Sequence, residues 1–286
     1  MCHGIVHSEE VQEASQNRMG KCACAEAETM AMVRGGFGLH NRDGEGYGYP
    51  VVGFQNMMQA SGSCLNSPND ALLTACAWDP RVKGLFFHQT AVAIELSKIS
   101  EFIKDVKRLG DLRPGSLCGL ELYNGILMRF VKGSAGSAYL GAEHDSVAVD
   151  MTYYRAREGE SPRLDEDVLE EIEQMALFKY GGTPHWGKNR NIAFHGVMEK
   201  YSESKYGEFI KAKHKYDPEG LFSNDWTDAL LQIGNSSVVL DKDACALEGL
   251  CLCREDRHCA PDKGYFCRPG IVFADARVCR YIGPRP

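Results

Sequence analysis

The chain has 286 residues, 44% of them hydrophobic, enough for one large or two modest domains with a buried core. Its formal net charge of −7, without any block of Lys or Arg, argues against nucleic-acid binding, because no basic stripe exists to neutralise phosphates. No apolar run approaches the roughly 18 residues of a membrane-spanning helix, and residues 1–20 lack the basic and apolar regions of a secretory signal.

In chain order, residues 1–50 are polar and glycine-rich, end in NRDGEGYGYP, and read as a linker or a remnant of a preceding region. VRGGFGLH (33–40) offers Gly35, Gly36 and His40, but no strand precedes it and it stays with the linker. LFFHQTAVAIEL (85–96) has the β-branched and aromatic residues of a strand. Ile99, Phe102, Ile103, Val106 and Leu109 follow at helical spacing, and Gly110 ends the pattern. LCGLELYNGILMRFV (117–131) reads as two strands joined by a turn at Asn124-Gly125. Val147, Val149, Met151 and Tyr153 alternate as one face of a further strand.

A helix is expected through Leu164, Val168, Ile172, Met175 and Ala176, with Gly181-Gly182 as its stop. Asp165, Glu166, Asp167 and Glu170 crowd its first turns, where the macrodipole favours acids. Another helix spans 201–214 and ends before YDPEGLF. Hairpin-type links outnumber βαβ units. The expected fold class is therefore α+β, an antiparallel sheet with helices packed on one face, over residues 51–240.

Residues 241–286 form a cysteine-rich extension. Of the twelve cysteines, Cys245, Cys251, Cys253, Cys259, Cys267 and Cys279 fall here, interleaved with charges, and read as a disulfide framework whose connectivity stays open. Zinc is the alternative, but Cys251 and Cys253 have no matching CxxC and only His258 stands near, so no metal site is assigned. The sequon Asn235-Ser236-Ser237 marks Asn235 for glycosylation and fits the secretory pathway, extracellular or membrane-associated. Such features without a visible signal peptide read as a missing N-terminus.

KYGGTPHWGKNRN (179–191) concentrates the chemistry. Gly181 and Gly182 turn the backbone sharply, and Pro184 stiffens the approach to His185. The turn then delivers His185, Trp186 and Lys188 to a surface or cleft. The plain interpretation is a helix end followed by a partly buried Trp and a solvated Lys. The chemical one sets an ammonium and an imidazole over a planar, electron-rich ligand, Lys188 stabilising negative charge and His185 accepting or positioning a proton.

These residues carry a resemblance. GGTPHWGKNRN resembles the HWxK segment of the FAD-dependent aldonolactone oxidases. GYPVVGFQN, QASGSC, WDPRVKGLFFHQT, LCGLELYNGILMRF, MTYYR and YDPEGLFSNDW resemble the plant gulonolactone-oxidase-like branch in the same order, as does the cysteine-rich tail; the likeness covers residues 47–286. It implies a cap domain opposed to an FAD-binding domain that this chain does not resemble. FAD is the implied cofactor, and a sugar 1,4-lactone and oxygen the implied partners.

On that resemblance, Lys188 and His185 are catalytic and stand near the flavin, which takes the hydride. Glu121 matches the glutamate of a substrate-contacting E-x-R pattern, Tyr123 stands where the arginine is expected, and Arg129 is near in sequence. The implied function is oxidation of L-gulono- or D-arabinono-1,4-lactone in ascorbate synthesis. The alternative is a catalytically silent, secreted, disulfide-stapled interaction module. A separate flavin-domain chain or a membrane surface would then cover the face that normally closes on flavin.

Overall fold

The computed structural model describes residues 87–117, 126–134, 143–154, 160, 162, 165–234 and 237–283. The expectations for residues 1–50, for Glu121 and Tyr123, for the Asn124-Gly125 turn and for Asn235 fall outside these residues.

Strand β1 (Phe87–Glu95) lies inside a four-stranded sheet with β2 (Leu127–Val131), β3 (Ser146–Tyr154) and the short β4 (Thr183–Pro184). The order is β2-β3-β1-β4 and every neighbouring pair is antiparallel. The register sets Thr90 opposite Met151, Val92 opposite Val149 and Ile94 opposite Val147. Strand side chains alternate, so these six share one buried face. By the same parity Gln89, Ala91, Asp150, Leu127 and Arg129 occupy the other face, with Asp150 opposite both Ala91 and Leu127.

Helix α1 (Ile99–Leu112) lays Phe102, Val106 and Leu109 on the first face. Each such buried side chain contributes about 2 kcal/mol. The helix continues past Gly110, which was expected to end it. Its end is set at Arg113, whose N–H closes on the Leu109 carbonyl at 3.0 Å while its guanidinium is drawn to Asp165 and Asp167. A tertiary ion pair overrides the local glycine signal.

Helix α2 (Glu166–Gln174) packs Val168, Leu169 and Ile172 into the same core and runs on into a π-turn, Met175–Lys179. The two glycines that follow have different tasks. Gly181 takes φ +66°, a left-handed conformation, whereas a Cβ on Gly182 would lie 2.4 Å from Val92 Cγ1. One turns the chain and the other lets it pass against β1.

All nine residues of α2 are buried, acids included. The helix dipole accounts for little of this, because the acids are bonded individually. Glu171 Oε1 accepts from the N–H groups of Val272 and Phe273 at 2.6 and 2.8 Å, and its Oε2 from Ile271 at 2.7 Å. Gln174 accepts from Arg277 N and donates to Arg277 O, both at 2.8 Å. Glu170 accepts from Cys279 N at 3.1 Å, and Asp167 from Arg280 Nε at 2.7 Å. The acidic side of α2 is an internal seam between the sheet and the C-terminal region.

That region holds a hairpin of β5 (Tyr265–Pro269) and β6 (Arg277–Tyr281). Its cysteines pair as Cys245–Cys251, Cys253–Cys267 and Cys259–Cys279, and with Ala246, Leu247 and Ala260 they make a small core of their own. Cys267 and Cys279 are opposite in the hairpin, yet each is tied to the loop before it. The sulfurs of Cys245 and Cys251 lie within 4.8 Å of a His258 ring nitrogen, but metal ligation needs thiolates. Disulfides, rather than zinc, hold the tail.

Helix α3 (Glu203–Tyr216) has no buried residue and leans on the core through the half-buried Tyr206, Phe209 and Ile210. Helix α4 (Asp225–Leu230) starts from a capping box of Asn224 and Thr227. No helix among the described residues is long and apolar enough to cross a membrane.

Candidate functional site

The presenting turn begins where Pro184 and Thr183 pair with Val92 and Ala93. His185 N then donates to Ala91 O and Asn189 N to Gln89 O, both at 2.9 Å. Between these, the Asn189 side chain takes the place of a strand. Its Oδ1 accepts from Ala91 N at 2.8 Å, and its Nδ2 donates to Ala91 O at 3.0 Å and to His185 O at 2.9 Å. Asn189 has φ +83°, which Asn tolerates better than most residues. Its neighbours leave on opposite sides of the sheet, Lys188 toward Asp150 on the outer face and Arg190 toward Glu173 of α2.

Asp150 is 4% exposed in the middle of β3. Lys188 Nζ donates to its Oδ2 at 2.6 Å, Arg129 donates to the same oxygen from the β2 side, and Gln89 Nε2 donates to Oδ1 at 3.1 Å. Ala91, directly opposite Asp150, presents only a methyl group and leaves the lysine its path across β1. A buried carboxylate is costly unless paired and hydrogen-bonded, and here both oxygens are supplied. Among the described residues two cations share this one acid, with one positive charge in excess. The Arg129 side chain is 52% exposed and that of Lys188 23%, so the excess faces outward. Such a cluster can bind an anion, or an oxygen that becomes anionic during a reaction.

The structure joins Lys188 to Asp150 and Arg129 and keeps His185 on the turn itself. The His185 ring is exposed and its Nδ1 accepts from Gly187 N at 3.1 Å. In the neutral ring the hydrogen then sits on Nε2, which makes that nitrogen a donor. Trp186 packs the turn, its ring 6.2 Å from Tyr201 in a stacked arrangement and 5.8 Å from Phe194. Arg129, close to Tyr123 in sequence, reaches the lysine's own carboxylate. Sequence reasoning missed Asp150, Gln89 and Asn189. A signal for Asp150 was available: an acid inside the otherwise apolar alternation VAVDMTYY needs a partner.

The profile of the D-arabinono-1,4-lactone oxidase family matches residues 82–230, a span that contains every residue of this cluster and turn. The chain belongs to the D-arabinono-1,4-lactone oxidase family. A second profile, that of the L-gulonolactone oxidase 2-like C-terminal domain, matches residues 242–281. L-gulonolactone oxidase 2 of Arabidopsis thaliana is 55% identical to this family member over 276 residues, covering 96% of this chain and 46% of the relative. The chain thus spans a little under half the length of that protein. A protein named "Probable truncated L-gulonolactone oxidase 7, mitochondrial", also of Arabidopsis thaliana, is 51% identical over 237 residues, 82% of this chain and 92% of its own length. L-gulonolactone oxidase of Mus musculus is 25% identical over 136 residues, covering 48% of this chain and 29% of that protein. Membership of an oxidase family and the cation-bearing turn meet in the same residues.

Proposed function

We infer that this chain is the substrate-side half of a flavin-dependent oxidase of L-gulono-1,4-lactone or D-arabinono-1,4-lactone, acting in ascorbate synthesis. Its main support is the cluster of Lys188, Asp150 and Arg129. The Lys188 ammonium hydrogen-bonds the lactone hydroxyl oxygen and stabilises the negative charge that builds on it as the hydroxyl proton passes to water. Arg129 holds a second lactone oxygen and fixes the ring's orientation. Asp150 keeps the two cations side by side. His185 offers its Nε2–H to a substrate oxygen, a positioning role instead of proton removal. Glu121 and Tyr123 are assigned to the sugar side of the substrate.

Bound FAD would supply the hydride acceptor for the carbinol carbon and the route by which the electrons reach oxygen. The donor set here fits the ring end of a flavin, because cations complement its electron-rich edge. The same residues do not fit its pyrophosphate, since no helix among the described residues starts from a glycine-rich turn. Lys188 and Arg129 can face the ring and leave the phosphates to other residues. The disulfide-rich tail and the Asn235 sequon support a glycosylated protein of the secretory pathway, extracellular or membrane-associated.

The test is reconstitution. The chain alone is expected to be colourless and inactive. Mixed with the part of L-gulonolactone oxidase 2 that lies outside the match, it is expected to yield a yellow complex that consumes oxygen with L-gulono-1,4-lactone. Leu221 and Phe222 favour a second function, the silent interaction module. They are 81% and 83% exposed on a turn that Asp217 fixes through their N–H groups at 2.6 and 3.1 Å. A folded, flavin-loaded complex that takes up no oxygen with either lactone decides for that function.

A further inference from the structure

We propose that the loop closed by Cys245–Cys251 belongs to the framework of the site, with Gly249 and Arg190 as the positioning residues through which it fixes Lys188. One anchor of the Lys188 turn is β1, through Asn189. The second comes from the tail, where Ile192 N donates to Gly249 O at 3.0 Å, and from the segment just before it, where Asn191 Nδ2 donates to Val238 O at 2.8 Å. The Arg190 side chain lies against Gly249 so closely that a Cβ there would stand 2.5–2.7 Å from Arg190 Cδ, Nε and Cβ. Gly249 also takes φ +63°, so glycine alone meets both the space and the dihedral.

The loop around Gly249 is closed three ways. The Cys245–Cys251 disulfide spans it, Gly249 N donates to Ala246 O, and Leu250 N donates to Cys245 O, the latter two at 2.9 Å. On its far side Arg190 is bonded to Glu173 and stands 3.9 Å from Glu170, both on α2. That helix is itself bonded to the tail through Glu171 and Gln174. Arg190 is thus clamped between α2 and the loop, one residue beyond Asn189. A shift of its backbone passes directly to Lys188, whose 2.6 Å bond to Asp150 leaves little slack. The turn lies in the span matched by the oxidase profile and the loop in the span matched by the C-terminal-domain profile, and this contact joins the two.

The functional meaning of this positioning rests on the role assigned above to Lys188; the positioning itself does not. Native reductive methylation of the whole chain, with each lysine quantified by peptide mass spectrometry, measures how firmly the Lys188 amine is held. In Cys245→Ala/Cys251→Ala and in Gly249→Ala, Lys188 is expected to label at least about threefold faster, as local opening releases it from Asp150. Lys104 and Lys211, exposed on α1 and α3, are expected to label as before. An unchanged Lys188 rate, with hydrogen exchange showing residues 245–251 opened, overturns the proposal. So does a rise at all lysines together, which marks global unfolding instead of a specific link. Gly249→Ala keeps every disulfide and preserves the test if the double variant does not fold. Release of Lys188 here, combined with normal turnover of Lys188→Ala in the reconstituted oxidase, leaves the positioning standing and removes the catalytic role.

Discussion

The side-chain amide of Asn189 makes with Ala91 the two hydrogen bonds that a paired strand residue would make, at 2.8 and 3.0 Å. It extends the sheet edge by one position without adding a strand, and the reversal of side-chain direction at this point sends Lys188 and Arg190 to opposite faces.

Asn189→Ala is expected to cost about 3–4 kcal/mol, roughly 1 for each of its three side-chain bonds and up to about 1 because Ala lacks the polar side chain that lets Asn tolerate positive φ. Asn189→Gly keeps the backbone conformation and loses only the bonds, so it should be the milder change. Urea titration of both variants checks the order.

Asp150→Asn in the reconstituted oxidase removes the counter-charge that holds Lys188 and Arg129 together. Turnover is expected to fall about 10–100-fold with a smaller change in KM, because the cations matter most as charge develops. Lys188→Ala should lower kcat by about 100-fold. Steady-state oxygen uptake at varied lactone concentration separates the two parameters.

Burial, with Glu166 beside it, holds the Glu170 carboxyl well above the ordinary carboxylate range; Arg190 and the Cys279 N–H oppose this without reversing it. The folded chain therefore binds more protons than the unfolded chain in that window, and this group's contribution makes stability fall as pH rises through it. Glu170→Gln keeps an acceptor for Cys279 N and discards the charge. Its Tm should exceed that of the wild type at neutral pH, with the gap closing as pH falls toward 4.5, where the unfolded carboxyl titrates. A gap that widens on acidification would show the opposite sign.

Glu171 is completely buried and receives three backbone N–H groups of the tail. Glu171→Ala strands all three and is expected to cost about 3 kcal/mol or more. Hydrogen exchange at residues 271–273 should accelerate first, before the sheet amides.

The disulfides close loops of different length, with separations of 6, 14 and 20 residues. Loop-closure entropy predicts losses of about 2 kcal/mol for Cys245–Cys251 and about 3 kcal/mol for Cys259–Cys279. Paired Cys→Ala variants compared by denaturant midpoint check the ranking. The shortest loop should matter least to global stability, although it lies nearest the site.

Much of the fold is legible because burial leaves a local trace. Val147, Val149 and Met151 mark one face of β3, and Phe102, Val106 and Leu109 mark one stripe of α1, each at the spacing its backbone imposes. The acids of α2 carry no such trace of their burial. Glu171 becomes an interior residue only because Ile271, Val272 and Phe273 bring their N–H groups to it, 100 to 102 residues away. In the site, His185 and Lys188 announce themselves by their turn. The residue that meets Lys188 lies 38 positions earlier, on a strand whose apolar alternation conceals it.

From its sequence alone this protein declares an α+β chain with a cysteine-stapled tail, a glycine-proline turn bearing Lys188, and likeness to aldonolactone oxidases, because periodicity, turn chemistry and motif spacing are all properties of short stretches. Which cysteine joins which is decided only when the tail folds about the β5–β6 hairpin, and which face Lys188 reaches, and that Arg129 and Asp150 complete its cluster, only when β2, β3 and β1 take their register. A one-residue slip would carry Asp150 to the opposite face of the sheet. Side chains brought together from distant strands by hydrogen-bond register have no signature in any one of them.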